Sequence, residues 1–322
     1  MNVSDIVTEF GAYYENAGQN KNRILGLLTQ GLVTPSYCTH VKTDDTVFKL
    51  GRLTMGDIVQ SFQKGWTPKN AAAFTANQIN LYKFKVDEEI DPDDIEATWL
   101  GFLASDSVTR KDWPLVKFLI EHPEQGYIAA INRDMENKEY GHGVYVAPTP
   151  DTAGTTGQSM NGLIHLLQAG VNAETMNSIN IGALDKDTVF DQVELFVDGI
   201  SEVYQNVAMN VFMSPKWARY YHIDKRNEGH YDFASDRDVK DNIDFTPQRV
   251  VGLPSLSNSN VIFATPKSNL LHITKKSANK TRILLEEEKR TVNFLADWWE
   301  AIGFGMDAAV WTNTTKEASA SV

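Results

Sequence analysis

Residues 46–85, TVFKLGRLTMGDIVQSFQKGWTPKNAAAFTANQINLYKFK, form a basic stretch that ends where an acidic one begins. Its six bases stand against the single acid Asp57, a net charge of +5, whereas residues 86–96 carry seven acids and no base. Complementary patches on one chain favour docking between identical copies, because they set orientation and register. The basic residues are Lys49, Arg52, Lys64, Lys69, Lys83 and Lys85.

Two strand-like segments border this stretch, residues 46–50 and residues 81–86. Each alternates apolar with basic side chains, as in a ribbon with one solvated face. The roughly thirty residues between them are too long for an ordinary connection and are typical of a functional loop. Phe62, Trp66 and Phe74 lie in this loop and need a surface to cover them. The pattern predicts a ribbon-like arm that docks on a neighbouring copy, and leaves open a hairpin folded over the chain's own sheet.

Composition limits the classes of protein to consider. The chain has 322 residues and 36.0 kDa, 42% of them hydrophobic, which is enough for one large domain or two ordinary ones. A net charge of −12 argues against nucleic acid bound directly across the whole surface. It remains compatible with an acidic inner wall around DNA. The single cysteine, Cys38, rules out an internal disulfide and is interpreted as a small buried hydrophobe. No signal-peptide pattern or membrane span is found, so we expect cytosolic folding.

Helical patterns occupy much of the first half of the chain. Residues 4–16 and 20–30 predict two short helices, and Asp91 with Pro92 marks the start of another. The longest helix is predicted from Tyr127 to Tyr140, where apolar residues recur at helical spacing. Its exposed side is expected to carry Arg133, Asp134, Glu136, Lys138 and Glu139.

A composition change at residues 141–160, rich in Gly, Thr, Pro and Ser, predicts a crossing loop into a second lobe. In that lobe we expect a buried strand at residues 210–213 between helices at residues 187–204 and 216–221. The chain becomes β-rich from Arg249, with closing strands at 281–285, 292–298 and 303–311. The small polar residues 313–322 predict a loose tail.

The order of these elements resembles the major capsid proteins of tailed phages, which have the Hong Kong 97-like fold, an α+β class. Each matching motif is weak alone, but their order and spacing extend over nearly the whole chain. The motifs are AMNVFMSPKW at 208–217, VGLP at 251–254, VIFATPKSNL at 261–270 and the closing segment 291–311.

The resemblance implies a division of the chain into the parts of that fold. These are an N-terminal arm at 1–45, an extended E-loop hairpin at 46–86, a P-domain with a long spine helix at 87–145, an inserted A-domain at 146–266, and closing P-domain strands with a C-terminal tail at 267–322.

It also implies a function, that of a structural protein without catalysis, cofactor or metal. Such subunits form pentamers and hexamers of an icosahedral shell, assembled in the host cytoplasm, which encloses double-stranded DNA in the virion. Residues 1–45 are too few for a built-in scaffolding segment, so a separate scaffolding protein is expected, together with a portal and, in some members, a decoration protein. Intersubunit contacts are expected at Arg52, Phe62, Lys64, Trp66, Lys69, Phe74, Asp91, Asp93 and Asp94.

Two alternatives remain. One is an encapsulin-type nanocompartment of the same fold, which packages an enzyme in place of a genome. The other is a soluble serine hydrolase, suggested by residues 157–162, GQSMNG, in which Ser159 follows a glycine and His165 lies close in sequence. The hydrolase elbow requires Gly-x-Ser-x-Gly, and here the second glycine comes one position late.

Overall fold

The computed structural model describes most of the chain from residue 32 onward. The described residues are 6, 8, 32–55, 57–69, 72–91, 98–100, 103, 115–122, 126–228, 242–276, 283–289 and 291–317. The two helices predicted at 4–16 and 20–30 therefore lie almost entirely outside the described residues. Ile6 is described, is helical, and is buried in the main hydrophobic core.

The described elements alternate helix and strand, which confirms a mixed α and β fold. The strands are β1 (Thr39–Thr43), β2 (Val47–Met55), β3 (Ala72–Asn80), β4 (Tyr82–Ile90), β5 (Asn177–Ser178), β6 (Asn210–Met213), β7 (Arg249–Gly252), β8 (Phe263–Thr265), β9 (Leu270–Lys275), β10 (Ile283–Glu288), β11 (Thr291–Phe304) and β12 (Trp311–Thr312). The helices are α1 (Leu115–Glu121), α2 (Tyr127–Asp134), α3 (Leu163–Asn172), α4 (Val189–Asp198), α5 (Glu202–Gln205) and α6 (Pro215–Asn227).

The first sheet is built around β11, the 14-residue strand that contacts three others. Strands β10 and β9 pair with successive parts of one edge, β4 pairs with the other edge, and β1 adds to β9 in parallel. Val292, Phe294 and Ala296 alternate inward along β11. The ring of Tyr127 stacks on Phe294 with centroids 4.4 Å apart. This contact lays α2 against the sheet.

The second sheet has the order β5-β12-β8-β6-β7. Strand β6 is the predicted buried strand, and its residues Val211 and Met213 pack with α4 and α6 in a separate core. Helix α6 begins at Ser214, whose hydroxyl accepts from the Trp217 amide at 3.4 Å, and at Pro215, which suits the first turn. The single helix predicted at 187–204 is two helices, α4 and α5, separated at residues 199–201.

The strand pairing predicted for the basic ribbon is wrong. Strand β2 pairs with β3 over nine residue pairs, from Val47 opposite Asn80 to Met55 opposite Ala72. The segment predicted as the second strand of the ribbon belongs to β4 and pairs with β11. There Phe84 is buried and stacks on Trp298 with centroids 5.3 Å apart. Burial of this aromatic pair stabilises β4 in the sheet, whereas an exposed ribbon offers it no such contact.

The helix predicted from Tyr127 to Tyr140 is also different from expectation. Helix α2 has eight residues and continues as a five-residue π-helical turn, Met135–Glu139, while α6 has thirteen α-helical residues. Among the described α-helices α2 is therefore shorter than α6, and the prediction that it would be the longest is wrong. Glu136 and Glu139, expected on the exposed side, are buried. Their carboxylates accept backbone N–H groups from residues 33–34 and from residues 157 and 159. These bonds supply the polar partners that burial requires.

The closing segment departs from expectation as well. Strand β11 ends at Phe304, and β12 joins the second sheet beside β8 and β5. Residues 313–317, expected in a loose tail, are hydrogen-bonded to the second lobe: Ser178 Oγ donates to the Thr314 carbonyl at 2.6 Å, and Lys316 Nζ lies 2.5 Å from the Glu174 carboxylate. The end of the described chain therefore completes the second lobe. None of the described helices has the length and apolar character needed to span a membrane.

Candidate intersubunit surface

The antiparallel hairpin of β2, β3 and the connecting loop, residues 47–80, is called the arm. At its root, Ile79 packs with Ile273 and Ala301 of the first sheet. The Asn77 side chain donates to the Phe304 carbonyl at 2.8 Å and to Asp307 Oδ1 at 3.0 Å. The root of the arm is thus joined to the body by both apolar and polar contacts.

The tip of the arm exposes large apolar side chains. Phe62 is 94% exposed and Trp66 is 91% exposed, and the adjacent Val59 and Ile58 are 86% and 61% exposed. Exposed apolar residues grouped in this way mark an interaction surface, because water contact costs free energy that a partner can recover. The sequence reasoning singled out the two aromatics and missed Ile58 and Val59, although both lie in the same loop.

Hydrogen bonds within the tip hold the loop in shape. Gln60 Nε2 donates to the Thr67 carbonyl at 2.9 Å, and Gln63 Nε2 donates to the Thr67 hydroxyl at 2.6 Å. Lys69 Nζ donates to the Val59 carbonyl at 2.5 Å. A loop ordered before docking loses less conformational entropy when a partner binds.

The arm itself carries a net charge of +3 over residues 47–80. Lys64 and Lys69 are exposed near its tip. Arg52 lies in β2 opposite Thr75, and Phe74 lies in β3 opposite Leu53. Two lysines counted with the basic stretch, Lys83 and Lys85, belong to β4 instead, where they form ion pairs of 3.2 Å with Asp297 and 2.6 Å with Asp87.

An acidic edge forms at the end of the first sheet where β11 begins. Asp91 is exposed immediately after β4, whereas Asp93 and Asp94 lie outside the described residues. Strands β4 and β10 flank this end of β11 on opposite sides. The exposed acids of the acidic edge are Asp87, Glu88, Glu89, Asp91, Glu286 and Glu288. The contribution of β10 could not be inferred from local sequence, because strand pairing brings it beside β4.

A second exposed apolar surface lies on the lobe built around the second sheet. Val203 of α5 and Phe245 are both exposed, and Phe245 has a φ of 60°, a region that bulky residues rarely adopt. Gln248 Nε2 donates to the Gln205 carbonyl at 2.9 Å, which ties the two segments together. The sequence pattern singled out neither residue.

The residues of the hydrolase alternative do not form a catalytic arrangement. The amides of Gly157 and Ser159 donate to the Glu139 carboxylate at 2.7 and 3.3 Å, so this loop caps the π-helical turn. No hydrogen bond joins Ser159 to His165 in the described part of the chain. Cys38 is buried, its thiol donates to the Thr34 carbonyl at 3.3 Å, and burial raises the pKa of the thiol. Among the described residues no cluster of His, Cys, Asp and Glu suits a metal ion.

The chain has two sheets, a projecting arm and a helix laid across the first sheet, and this arrangement is the fold of tailed-phage major capsid proteins. The fold is similar to that of the chain in the satellite phage P4 procapsid that includes the size determination (Sid) protein, with a TM-score of 0.54 and 12% identity over 90% of this chain and 89% of that one. It is also similar to the capsid of Myoviridae phage XM1, with a TM-score of 0.51 and 12% identity over 89% and 90%. Neither a protein-family model nor a curated protein sequence matches the chain.

Proposed function

We propose that this protein is the major capsid protein of a tailed phage, which assembles into the pentamers and hexamers of an icosahedral shell around double-stranded DNA. The observation that carries the proposal is the exposed apolar tip of an arm whose root is fixed to a body with the capsid fold. A monomer leaves this tip in water, while a closed shell covers it on every copy. The P4 procapsid and the XM1 capsid, whose subunits share the fold, support the assignment.

The arm serves as the E-loop and docks on a neighbouring subunit. Its tip contributes Phe62 and Trp66 as apolar anchors, with Lys64 and Lys69 beside them and Arg52 and Phe74 on the strands behind. The receiving surface is the acidic edge of the neighbour, including Asp91, Asp93 and Asp94. Apolar anchors supply affinity and complementary charges set the register. Many such modest contacts make a closed shell stable.

In this proposal α2 and its π-helical turn act as the spine helix of a P-domain, residues 87–145 with the closing strands of 267–322. Residues 146–266 form the A-domain, which gathers around the fivefold and sixfold axes. The exposed Val203 and Phe245 are the apolar residues offered for that contact.

The partners follow from the same function. A separate scaffolding protein and a portal take part in assembly in the host cytoplasm, and a decoration protein is a partner in some members of this class. The net charge of −12 suits a wall that encloses DNA without sequence-specific binding. The subunit needs no cofactor for this role.

The function is tested by expressing the chain alone and with its scaffolding partner, and examining the products by negative-stain electron microscopy. Closed shells, or rings of five and six, are expected. The contents of native particles then separate a genome shell, which holds DNA, from a nanocompartment, which holds an enzyme. A uniform monomer that does not assemble with the scaffolding protein would contradict the proposal. The serine hydrolase alternative would then be tested by asking whether Ser159→Ala abolishes an esterase activity of the chain.

Charge reversal at the arm tip, Lys64→Glu/Lys69→Glu, is expected to reduce shell yield at least about tenfold while the subunit stays folded. Each reversal replaces attraction to the acidic edge by repulsion, and Lys69→Glu also removes the hydrogen bond to the Val59 carbonyl that helps to shape the tip. A loss of 1.4 kcal/mol per contact already corresponds to a factor of ten. Shell yield is measured by gradient sedimentation and folding by thermal unfolding. The control Lys186→Glu/Lys276→Glu makes the same change in net charge at exposed lysines outside the arm. Equal yields from the two double variants would show that the arm charges have no special role.

A further inference from the structure

A chain of hydrogen-bonded polar groups runs from the surface into the core beside β1. His40 of β1 and His272 of β9 lie opposite each other in the sheet, with their Nδ1 atoms 2.9 Å apart. His272 Nε2 lies 2.5 Å from Glu300 Oε1 on β11. Glu300 also accepts from Trp298 Nε1 at 3.0 Å and from the Tyr140 hydroxyl. His40 is exposed, whereas His272, Glu300 and Tyr140 are buried, so solvent protons reach the chain of groups through His40.

The buried end of this chain is an ionised carboxylate. Burial opposes ionisation of Glu300, but the electrostatic attraction of His272 and the hydrogen bonds from His272, Tyr140 and Trp298 outweigh it and lower the pKa of Glu300. Burial and then the neighbouring Glu300 carboxylate raise the pKa of Tyr140, so its hydroxyl stays protonated and donates. Glu300 therefore acts only as an acceptor, and His272 Nε2 must carry a hydrogen.

This requirement limits the protons that the two histidines can hold. With His272 Nε2 protonated, the contact between the two Nδ1 atoms needs one hydrogen between them. Either His40 donates to a neutral His272, or a charged His272 donates to His40. If both rings are charged, two N–H groups face each other at 2.9 Å and the contact becomes repulsive. The pair tolerates one added proton and not a second.

The contact between His40 and His272 helps to hold β1 at the edge of the first sheet. Among the described strands β1 lies at the edge of the first sheet and pairs with β9 alone. It follows the turn Thr34–Tyr37, where Thr34 bonds the Glu136 carboxylate, and it leads within a few residues into β2 of the arm. Loss of the histidine contact weakens the strand that links these two parts.

We propose that the contact between His40 and His272 is a proton-sensitive latch, which holds β1 on the first sheet at neutral pH and opens on acidification. The charged or titratable groups that face it come from every neighbouring element: Lys42 on β1, Lys267 on the turn Lys267–Asn269, Glu300 on β11, and, around Glu300, Tyr140, Glu136 and Cys38. Lys42 and Lys267 oppose a further proton on His40, and Glu300 favours it.

The direction of the pH effect follows from His40. Partial burial of the ring, and then a positive charge on His272, lower the pKa of His40 below its ordinary value. The unfolded or locally open chain therefore binds the proton more readily than the closed chain does. The contribution of the histidine contact to the stability of the closed β1 is complete above the ordinary imidazole pKa of about 6.5. It is lost as the pH falls from there toward the lowered pKa of His40.

The test is hydrogen exchange of the full-length chain at pH 8 and pH 5.5, with the state of association checked at each pH. Protection factors of the β1 amides, corrected for intrinsic exchange, are expected to fall up to about tenfold at the lower pH, since one proton linked to opening gives at most tenfold per pH unit. Amides of β6, in the other sheet, serve as the internal reference and are expected to change little.

Two variants and one spectrum decide the outcome. His40→Gln is expected to remove the pH dependence of β1, while His142→Gln, which replaces a histidine whose Nε2 lies 2.7 Å from the Ser257 carbonyl, keeps it. Equal β1 protection at both pH values in the natural chain, or an unchanged pH response in His40→Gln, would overturn the latch. So would ring ¹⁵N shifts that show both histidines charged while the β1 amides remain protected.

Discussion

Removing both aromatic rings at the tip of the arm, in Phe62→Ala/Trp66→Ala, is expected to abolish closed shells and leave the folded subunit unchanged. The rings are 94% and 91% exposed, so the isolated subunit gains little from them and its unfolding free energy should change by less than about 0.5 kcal/mol. Truncation of a buried interface aromatic costs about 2 kcal/mol or more. Every subunit both provides and receives an arm in the proposed shell, so the loss repeats at every contact.

The measurement pairs electron microscopy of the assembly products with thermal unfolding of the subunit. Leu195→Ala removes an exposed apolar side chain of α4, outside the arm, and is expected to assemble normally. Shells of normal yield from the double variant would remove the arm tip from the interface. A lower unfolding temperature would show instead that the rings stabilise the subunit itself. This result is expected if the hairpin folds over the sheet of its own subunit.

Gly141→Ala is expected to destabilise the subunit by about 3 kcal/mol or more, because the site is closed by backbone. A Cβ atom at Gly141 would lie 1.8 Å from the Ser255 carbonyl oxygen, and neither chain segment can rotate a side chain out of the way. Gly141 follows the π-helical turn, and Ser255 lies in the turn Pro254–Leu256. The close approach joins the end of the predicted spine helix to the segment that follows β7.

Urea unfolding provides the measurement, and Gly154→Ala provides the matched control. A Cβ at Gly154 meets nothing within 4 Å, so this change should shift the free energy of unfolding by less than about 0.5 kcal/mol. Similar unfolding midpoints for the two variants would contradict the steric argument. Loss of stability only at Gly141 would confirm that the junction requires glycine there.

For the arm, the local sequence pattern predicted some features and not others. Its charge and aromatic content were readable from the sequence, and the structure places Phe62, Lys64, Trp66 and Lys69 together at the exposed tip. The strand pairing of the arm could not be predicted from the sequence. Alternation of apolar and basic residues marks a strand without naming its partner, and the partner of β4 is β11, more than two hundred residues later.

The same limit explains the buried carboxylates. Glu136 and Glu139 were predicted as surface residues of an amphipathic helix, because the neighbouring sequence does not indicate which backbone groups they bind. The partners of Glu136 lie about one hundred residues away, in residues 33–34. His40 and His272 are separated by 232 positions.

The mixed content of helix and strand, the exposed apolar and basic tip of the arm and the acidic stretch after it were predicted from the sequence, since composition and periodicity are local properties. It also carried the resemblance to tailed-phage capsid proteins that the fold bears out. The pairing of the strands, the place of the π-helical turn and the contacts between titratable groups beside β1 became evident from the three-dimensional arrangement alone. These depend on burial and hydrogen bonding between residues far apart in the chain, and such contacts leave no periodic trace in either segment.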